Sequence, residues 1–258
     1  MNEADAKSVV VGVNGSRAAV NAATWAIDEA ISRQLPLRLV HVIPRRDGQQ
    51  ASGQTAASEW ELERGETALS QAICAVQSEK KPVEVETAVL SGDPEQVLIE
   101  QSLDAAMVCV GTSRRGWKAD GLLGPTAAAL VTSAHCPVAI IRTNADGSPT
   151  QLGVIAVVVN DEPGNDEVVH QAMEEGRRRH AIVRQIDRRL GSWVRRYPDV
   201  PVQIVAAGTG ARGAENHSSA IDLAVVGEAD ADQLSELVVP NCHPILGYPD
   251  CSVLLVRH

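Results

Sequence analysis

AMVCVGTSRRGWKADGLLGPTAAALVTSAHCPVAIIR, residues 106–142, decides the fold. Ala106 to Val110 is a continuous apolar run, the pattern of a strand buried on both faces of a parallel sheet. It passes into a glycine-rich stretch, Gly111 to Thr126, that also contains Gly116, Gly121 and Gly124. A helix is predicted from Thr126 to Ser133, and after Cys136-Pro137 a second apolar strand runs from Val138 to Ile141. Two strands joined through a helix must lie parallel, because the crossover returns the chain to the same end of the sheet.

Working upstream, the same alternation recurs. Val9 to Val13 is an apolar strand ended by Asn14-Gly15, and Ser16 offers an N-cap to a helix with Val20, Ala23, Ile27 and Ile31 at helical spacing. Leu37 to Ile43 is a second strand, closed by Pro44 and followed by a polar loop from Gly48 to Ser58. A helix is predicted from Glu59 to Glu79 with Leu62, Leu69, Ile73 and Val76 on one face. Val83, Val85 and Thr87 alternate with Glu84 and Glu86, which places that strand near a sheet edge. Asp93-Pro94 then starts a helix as cap and first residue, with Gln96 in the capping-box position.

Downstream, Thr143 to Leu152 is polar, contains Gly and Pro, and reads as a linker. The pattern then restarts. VIAVVVND matches VVVGVNG, AMEEGRRRHA matches AIDEAISRQL, and LAVVGEAD matches MVCVGTSR. The endings SAHCPVAIIR and YPDCSVLLVR each place a Cys, an aliphatic strand and an Arg in succession. The second copy is about thirty residues shorter, mostly between its first helix and the region of its third strand. The fold class is therefore α/β, two tandem open parallel-sheet, Rossmann-like domains over residues 1–145 and 152–258, the second shortened.

Composition limits the function. Aromatic residues are 2% of the 258 and Phe is absent, so the core is aliphatic. A net charge of −10, spread without long like-sign runs, argues against nucleic-acid binding. No apolar run approaches the roughly 20 residues that span a bilayer, and no leader is recognisable, so the protein is expected in the cytoplasm without a membrane span. The five cysteines lack C-x-x-C spacing and read as reduced, mostly buried thiols.

In an open α/β sheet, ligands bind beyond the carboxyl ends of the strands. Two segments point there, Val13-Asn14-Gly15-Ser16 and Gly111 to Thr126. Glycines let backbone amides approach phosphate, and a helix N-terminus adds partial positive charge. The glycines could equally serve a flexible loop that needs positive φ. In the second copy this stretch is GEADADQL, where Asp230 and Asp232 would repel phosphate. Glu228, Asp230 and Asp232 read as a solvated acidic loop, without the later Glu of a calcium loop. His41 reads as a hydrogen-bonded structural residue, and Arg177-Arg178-Arg179 with Arg188-Arg189 as a solvated helix face.

VVVGVNGS, LRLVHVIP, LSGDPEQVLIEQSLDAAMVCVG and above all GTSRRGWKADGLLGPTAAALVTSAHCPVAIIR resemble the universal stress protein family. The likeness covers residues 7–142 and, more weakly, 153–257; tandem copies with a degenerate second resemble its mycobacterial and actinobacterial branch. It implies a five-stranded parallel sheet, dimer formation through the last strand and, in one subclass, ATP at the switch point, with Mg only together with the nucleotide. That subclass carries G-2x-G-9x-G-[S/T]. Here Gly111 and Gly124 hold the first and third glycine positions, Arg114 the second, and Pro125 the Ser/Thr position, with Thr126 one residue late. Asn14 replaces the usual acidic residue on the ribose side, and Val42 matches the position lining the adenine. The resemblance thus implies a cofactor-binding set of Val13, Asn14, Ser16, Val42, Gly111, Thr112, Arg114, Gly116, Gly124, Pro125 and Thr126. No Ser/His/Asp order or H-E-x-x-H spacing marks an enzyme. Two functions are open: a stress-response and signalling protein that binds ATP or a related adenine nucleotide in its first domain, with a homodimer and an unknown protein partner expected, or a nucleotide-free dimeric interaction scaffold.

Overall fold

The computed structural model describes residues 7–44, 59–113, 123–150, 153–157, 165–185, 191–204, 221–228, 231 and 251–257. The first half runs β1 (Ser8–Gly12), α1 (Arg17–Arg33), β2 (Leu37–Ile43), α2 (Glu59–Ser78), β3 (Val85–Ser91), α3 (Pro94–Gln101), β4 (Ala105–Ser113), α4 (Pro125–Ser133) and β5 (Val138–Thr143). The second half runs β6 (Val154–Val157), α5 (Asn165–Arg179), β7 (Ile182–Gln185), α6 (Gly191–Arg196), β8 (Val202–Ile204), β9 (Leu223–Val226) and β10 (Ser252–Leu255).

Local chemistry sets the helix ends. Ser16, extended at φ −81°, accepts a hydrogen bond from Ala19 N and starts α1. Gln34 closes it in the left-handed region at φ 57°, its amide reaching the Ala30 and Ile31 carbonyls. His180 ends α5 the same way at φ 52°. Asp93 caps α3 through Glu95 N at 2.8 Å, with Pro94 in the first turn. Small residues on α1, among them Ala19, Ala22, Ala23, Ala26 and Ala30, are buried and let the helix lie close on the sheet.

The strands form one ten-stranded sheet in the order β3-β2-β1-β4-β5-β10-β9-β6-β7-β8. Every neighbouring pair is parallel except β5 with β10, which run antiparallel with Ile140 opposite Val253 and Val138 opposite Leu255. Read outward from that pair, the two halves repeat one order of five strands. β3 is an edge, as its alternating sequence predicts. The last strand of each repeat is consumed by the other, so the last-strand pairing expected between two chains occurs within one.

Apolar clusters cover both sheet faces. One includes Val9, Leu39 and Met107 with Ala26 of α1 and Ala72 of α2, and continues through Ile155, Leu223 and Met173 of α5. The other includes Val10, Val40 and Val108 with Leu98 of α3 and Leu130 of α4, and continues through Ala224 and Leu255. Each spans both repeats.

Polar ties reinforce the junction. Arg142 N donates to Ser252 Oγ at 3.0 Å, and Asn21 Nδ2 donates to Thr143 Oγ1 at 2.9 Å. Arg257, the last residue of the Cys-strand-Arg ending, donates to the carbonyls of Val131 and Ala134 at the end of α4. An arginine following β10 thereby caps a helix of the first repeat.

Some expectations change. Leu62 is exposed, and the buried face of α2 is Gly65, Ala68, Leu69, Ala72 and Val76. Arg178 and Arg179 are not a solvated face: they are largely buried against Glu29 and Glu175, while exposed Arg177 pairs with Asp199. Cys109, Cys136 and Cys251 are buried free thiols, and Cys74 is exposed. The polar loop up to Ser58, Arg188, Arg189, Asp230, Asp232 and Cys242 lie outside the described residues.

Candidate functional site

The connections of the first half reverse direction at β1. From β1 the chain goes to β2 and β3 on one side, then returns to place β4 on the other. β1 and β4 are parallel, with Gly12 opposite Val110, so their carboxyl ends open at one place. A crevice at such a switch point lacks a covering crossover and is where ligands bind in this architecture.

Val13 enters that crevice from below. It is buried, its amide bonds to Val40 O at 2.8 Å, and its carbonyl meets His41 Nδ1 at 2.8 Å. The His41 ring is held in turn by α2: a Cβ on Gly65 would stand 2.7 Å from Cδ2. Sequence marked His41 as structural but held no sign of Gly65, because a helical glycine has no distinctive signal when its reason is a neighbour. Val42 follows on β2, half-buried.

Asn14 and Gly15 form the turn after β1, both exposed, with Gly15 at φ +80°. Asn14 Oδ1 accepts from Ser16 N at 3.1 Å, so its carbonyl side is engaged locally while its amide nitrogen is the donor that can turn outward. The Ser16 hydroxyl is spent on Ala19 N. Arg17, exposed in the first turn, lies beside the linker turn, where a Cβ on Gly147 would stand 3.5 Å from its Cγ.

Gly111 and Thr112 are strand residues and not loop residues, since β4 continues to Ser113. The reason for Gly111 is steric. A Cβ there would stand 2.0 Å from Ala18 O and 2.6 Å from Ala19 N, so the glycine lets the first turn of α1 seat on the end of β4. Gly124 differs. It precedes α4 at φ −67° and ψ 162°, a conformation any residue adopts, and among the described residues nothing lies within 4 Å of the Cβ position. The positive-φ reading holds for neither. No side chain caps α4 among the described residues, and Pro125 at its start has no N–H, which leaves the amides of Thr126 and Ala127 without an intrahelical acceptor. Arg114 and Gly116 lie outside the described residues, with Trp117 and Gly121.

The site thus joins three things: a tight turn whose exposed Asn14 keeps its amide donor, a glycine that draws a helix N-terminus onto a strand end, and a second helix N-terminus that no side chain caps among the described residues. Such an arrangement can hold an anionic, phosphate-bearing group. Among the described residues no three His, Cys, Asp or Glu side chains are placed to hold a metal ion, and no helix is long and apolar enough to cross a membrane.

The profile of the universal stress protein family matches residues 6–142. A universal stress protein of Mycobacterium tuberculosis H37Rv is 38% identical, covering 97% of this chain and 96% of its own. Another from the same organism is 36% identical, covering 98% and 96%. Among solved structures, a universal stress protein from Archaeoglobus fulgidus DSM 4304 superposes with a TM-score of 0.65 at 12% identity, covering 98% of this chain and 97% of that one.

Proposed function

The chain belongs to the universal stress protein family, and from that premise we propose that its first repeat is a cytoplasmic, non-enzymatic sensor that binds ATP or a related adenine nucleotide in the β1–β4 crevice. The observation that carries this reading is the switch point itself, with the Asn14 turn and Gly111 at adjoining strand ends and a start of α4 that no side chain caps among the described residues. The adenine would lie toward Val42 and Val13 and the ribose toward Asn14. The phosphates would lie toward Thr112, Ser16 and the Gly124-Pro125-Thr126 turn, with Arg114 and Gly116 completing the cradle. Asn14 brings no negative charge, so Mg would enter only on the nucleotide's own phosphates. Occupancy would bias contacts with a protein partner or a second copy, and a homodimer must use surfaces other than the paired fifth strands.

Isothermal titration calorimetry with ATP, ADP and AMP, together with analysis of co-purified nucleotide, tests this. Saturable binding is expected, weakened by Asn14→Ala and strengthened by combining Asn14→Asp, Arg114→Gly and Pro125→Ser. Absence of binding at millimolar nucleotide would favour the second reading, a nucleotide-free scaffold, to which the local engagement of Asn14 with Ser16 N lends support.

A further inference from the structure

We propose that Glu29 of α1 and Glu175 of α5 share one proton and form a proton-dependent latch between the two repeats, packed while the proton is held and loosened when it leaves. Both side chains are 0% exposed and lie where the first helix of each repeat faces the other. They occupy matching positions of the aligned segments AIDEAISRQL and AMEEGRRRHA, so the contact joins a residue to its own counterpart.

The arginines bridge the two acids. Arg178 Nη1 contacts Oε1 of both Glu29 and Glu175. Arg179 reaches Glu175 Oε2 through Nε at 2.7 Å and Glu29 Oε1 through Nη2 at 3.2 Å. Its guanidinium also lies over Trp25, 4.3 Å from the ring centroid, and 3.8 Å from Asp28. Three of the four carboxyl oxygens therefore have donors. Glu29 Oε2 has none: Arg33 Nη2 stands 3.5 Å away, and no group donates a hydrogen bond to it. Both Oε1 atoms lie against the same Arg178 nitrogen, so the two carboxyl groups are crowded together, where like charges oppose full ionisation.

The groups facing the pair are Asp28 and Arg33 from α1, Arg178 and Arg179 from α5, and the buried Cys109 thiol from β4; Lys81 pairs with the outer side of Asp28 at 2.5 Å, and Glu174 acts on Arg178. Burial first, then the neighbouring Glu175 charge, push the Glu29 carboxyl up to about 8, against the opposing pull of Arg178 and Arg179. Glu175 is held below the ordinary range by Arg179 and Arg178, which overcome its own burial. The pair titrates as a unit.

The sign follows. Between the ordinary value of 4.5 and about 8 the folded protein keeps a proton that the unfolded chain releases, so stability falls as pH rises through that window. Glu175 acts oppositely, losing its stabilising charge only as pH falls below 4.5.

Full-length protein and Glu29→Gln, whose neutral amide stands in for the protonated acid at every pH, are compared by denaturant unfolding from pH 5 to 9. The wild type should lose about tenfold in folding equilibrium per pH unit relative to the variant across the window, a difference of about one proton. The infrared spectrum of the wild type at pH 6 should show a protonated carboxyl stretch that vanishes above pH 9 and is absent from the variant. Hydrogen exchange, corrected for intrinsic rate, should show residues 26–33 and 172–179 losing protection at pH 9 in the wild type alone. Parallel pH profiles for the two proteins, no protonated carboxyl band, or equal loss of protection would each overturn the latch.

Discussion

Gly111 and Gly124 were indistinguishable as letters in a glycine-rich stretch, and the structure gives them opposite reasons. Gly111 is glycine because the α1 backbone occupies its Cβ position, whereas Gly124 has an ordinary φ and, among the described residues, nothing near its Cβ position. Gly111→Ala should therefore cost about 3 kcal/mol or more, since the atoms in the way are backbone and cannot swing aside. Gly124→Ala should cost about 1 kcal/mol or less, the difference between two N-cap residues that lack a side-chain acceptor. Denaturant unfolding of both variants checks this, and similar losses would contradict it. What was legible at this scale was a juxtaposition: Val13, Asn14, Ser16, Gly111 and Thr112 all fall at or just beyond the ends of β1 and β4. What was not legible was which glycine serves packing, because that depends on a helix some ninety residues earlier.

The helices show why elements are read more reliably at their starts than on their faces. Ser16 and Asp93 announce α1 and α3 by local chemistry, and both caps form as read. The burial of Arg178 and Arg179 could not be read, because a periodicity argument sees one helix, and Glu29 lies 149 residues from Arg178. The helix ends also repeat across the two copies. Gln34 and His180 each close the first helix of their repeat with positive φ, at 57° and 52°. A side chain in this region carries strain that glycine lacks, partly offset by the larger entropy that glycine loses on folding. Gln34→Gly and His180→Gly should each raise stability by about 0.5 to 1 kcal/mol, measured by denaturant unfolding. A loss in either would mean that its side chain contributes a contact outweighing the strain.

At the scale of the molecule, the shared Cys-strand-Arg endings turn out to describe the seam. β5 and β10 are antiparallel partners, and Arg257 beyond β10 crosses to the end of α4. Sequence revealed two copies of one unit and could not reveal that they join edge to edge, since strand order between repeats leaves no periodic trace. The consequence is a sheet whose remaining edges are β3 and β8. Every residue of β5 is buried in the full chain, and an unpaired edge of this kind, apolar and flat, invites pairing with another chain. A chain ending at residue 145 would present Val138 to Ile141 as an open edge, with only Arg142 as a flanking charge. It should associate through that strand, as a dimer or larger species in sedimentation equilibrium, while the full-length chain makes no contact through β5 with another copy. A truncated chain that stays monomeric at tens of micromolar would show that the first repeat protects its own edge, and that the β5–β10 pairing is a preference of the tandem chain instead of a requirement of each half.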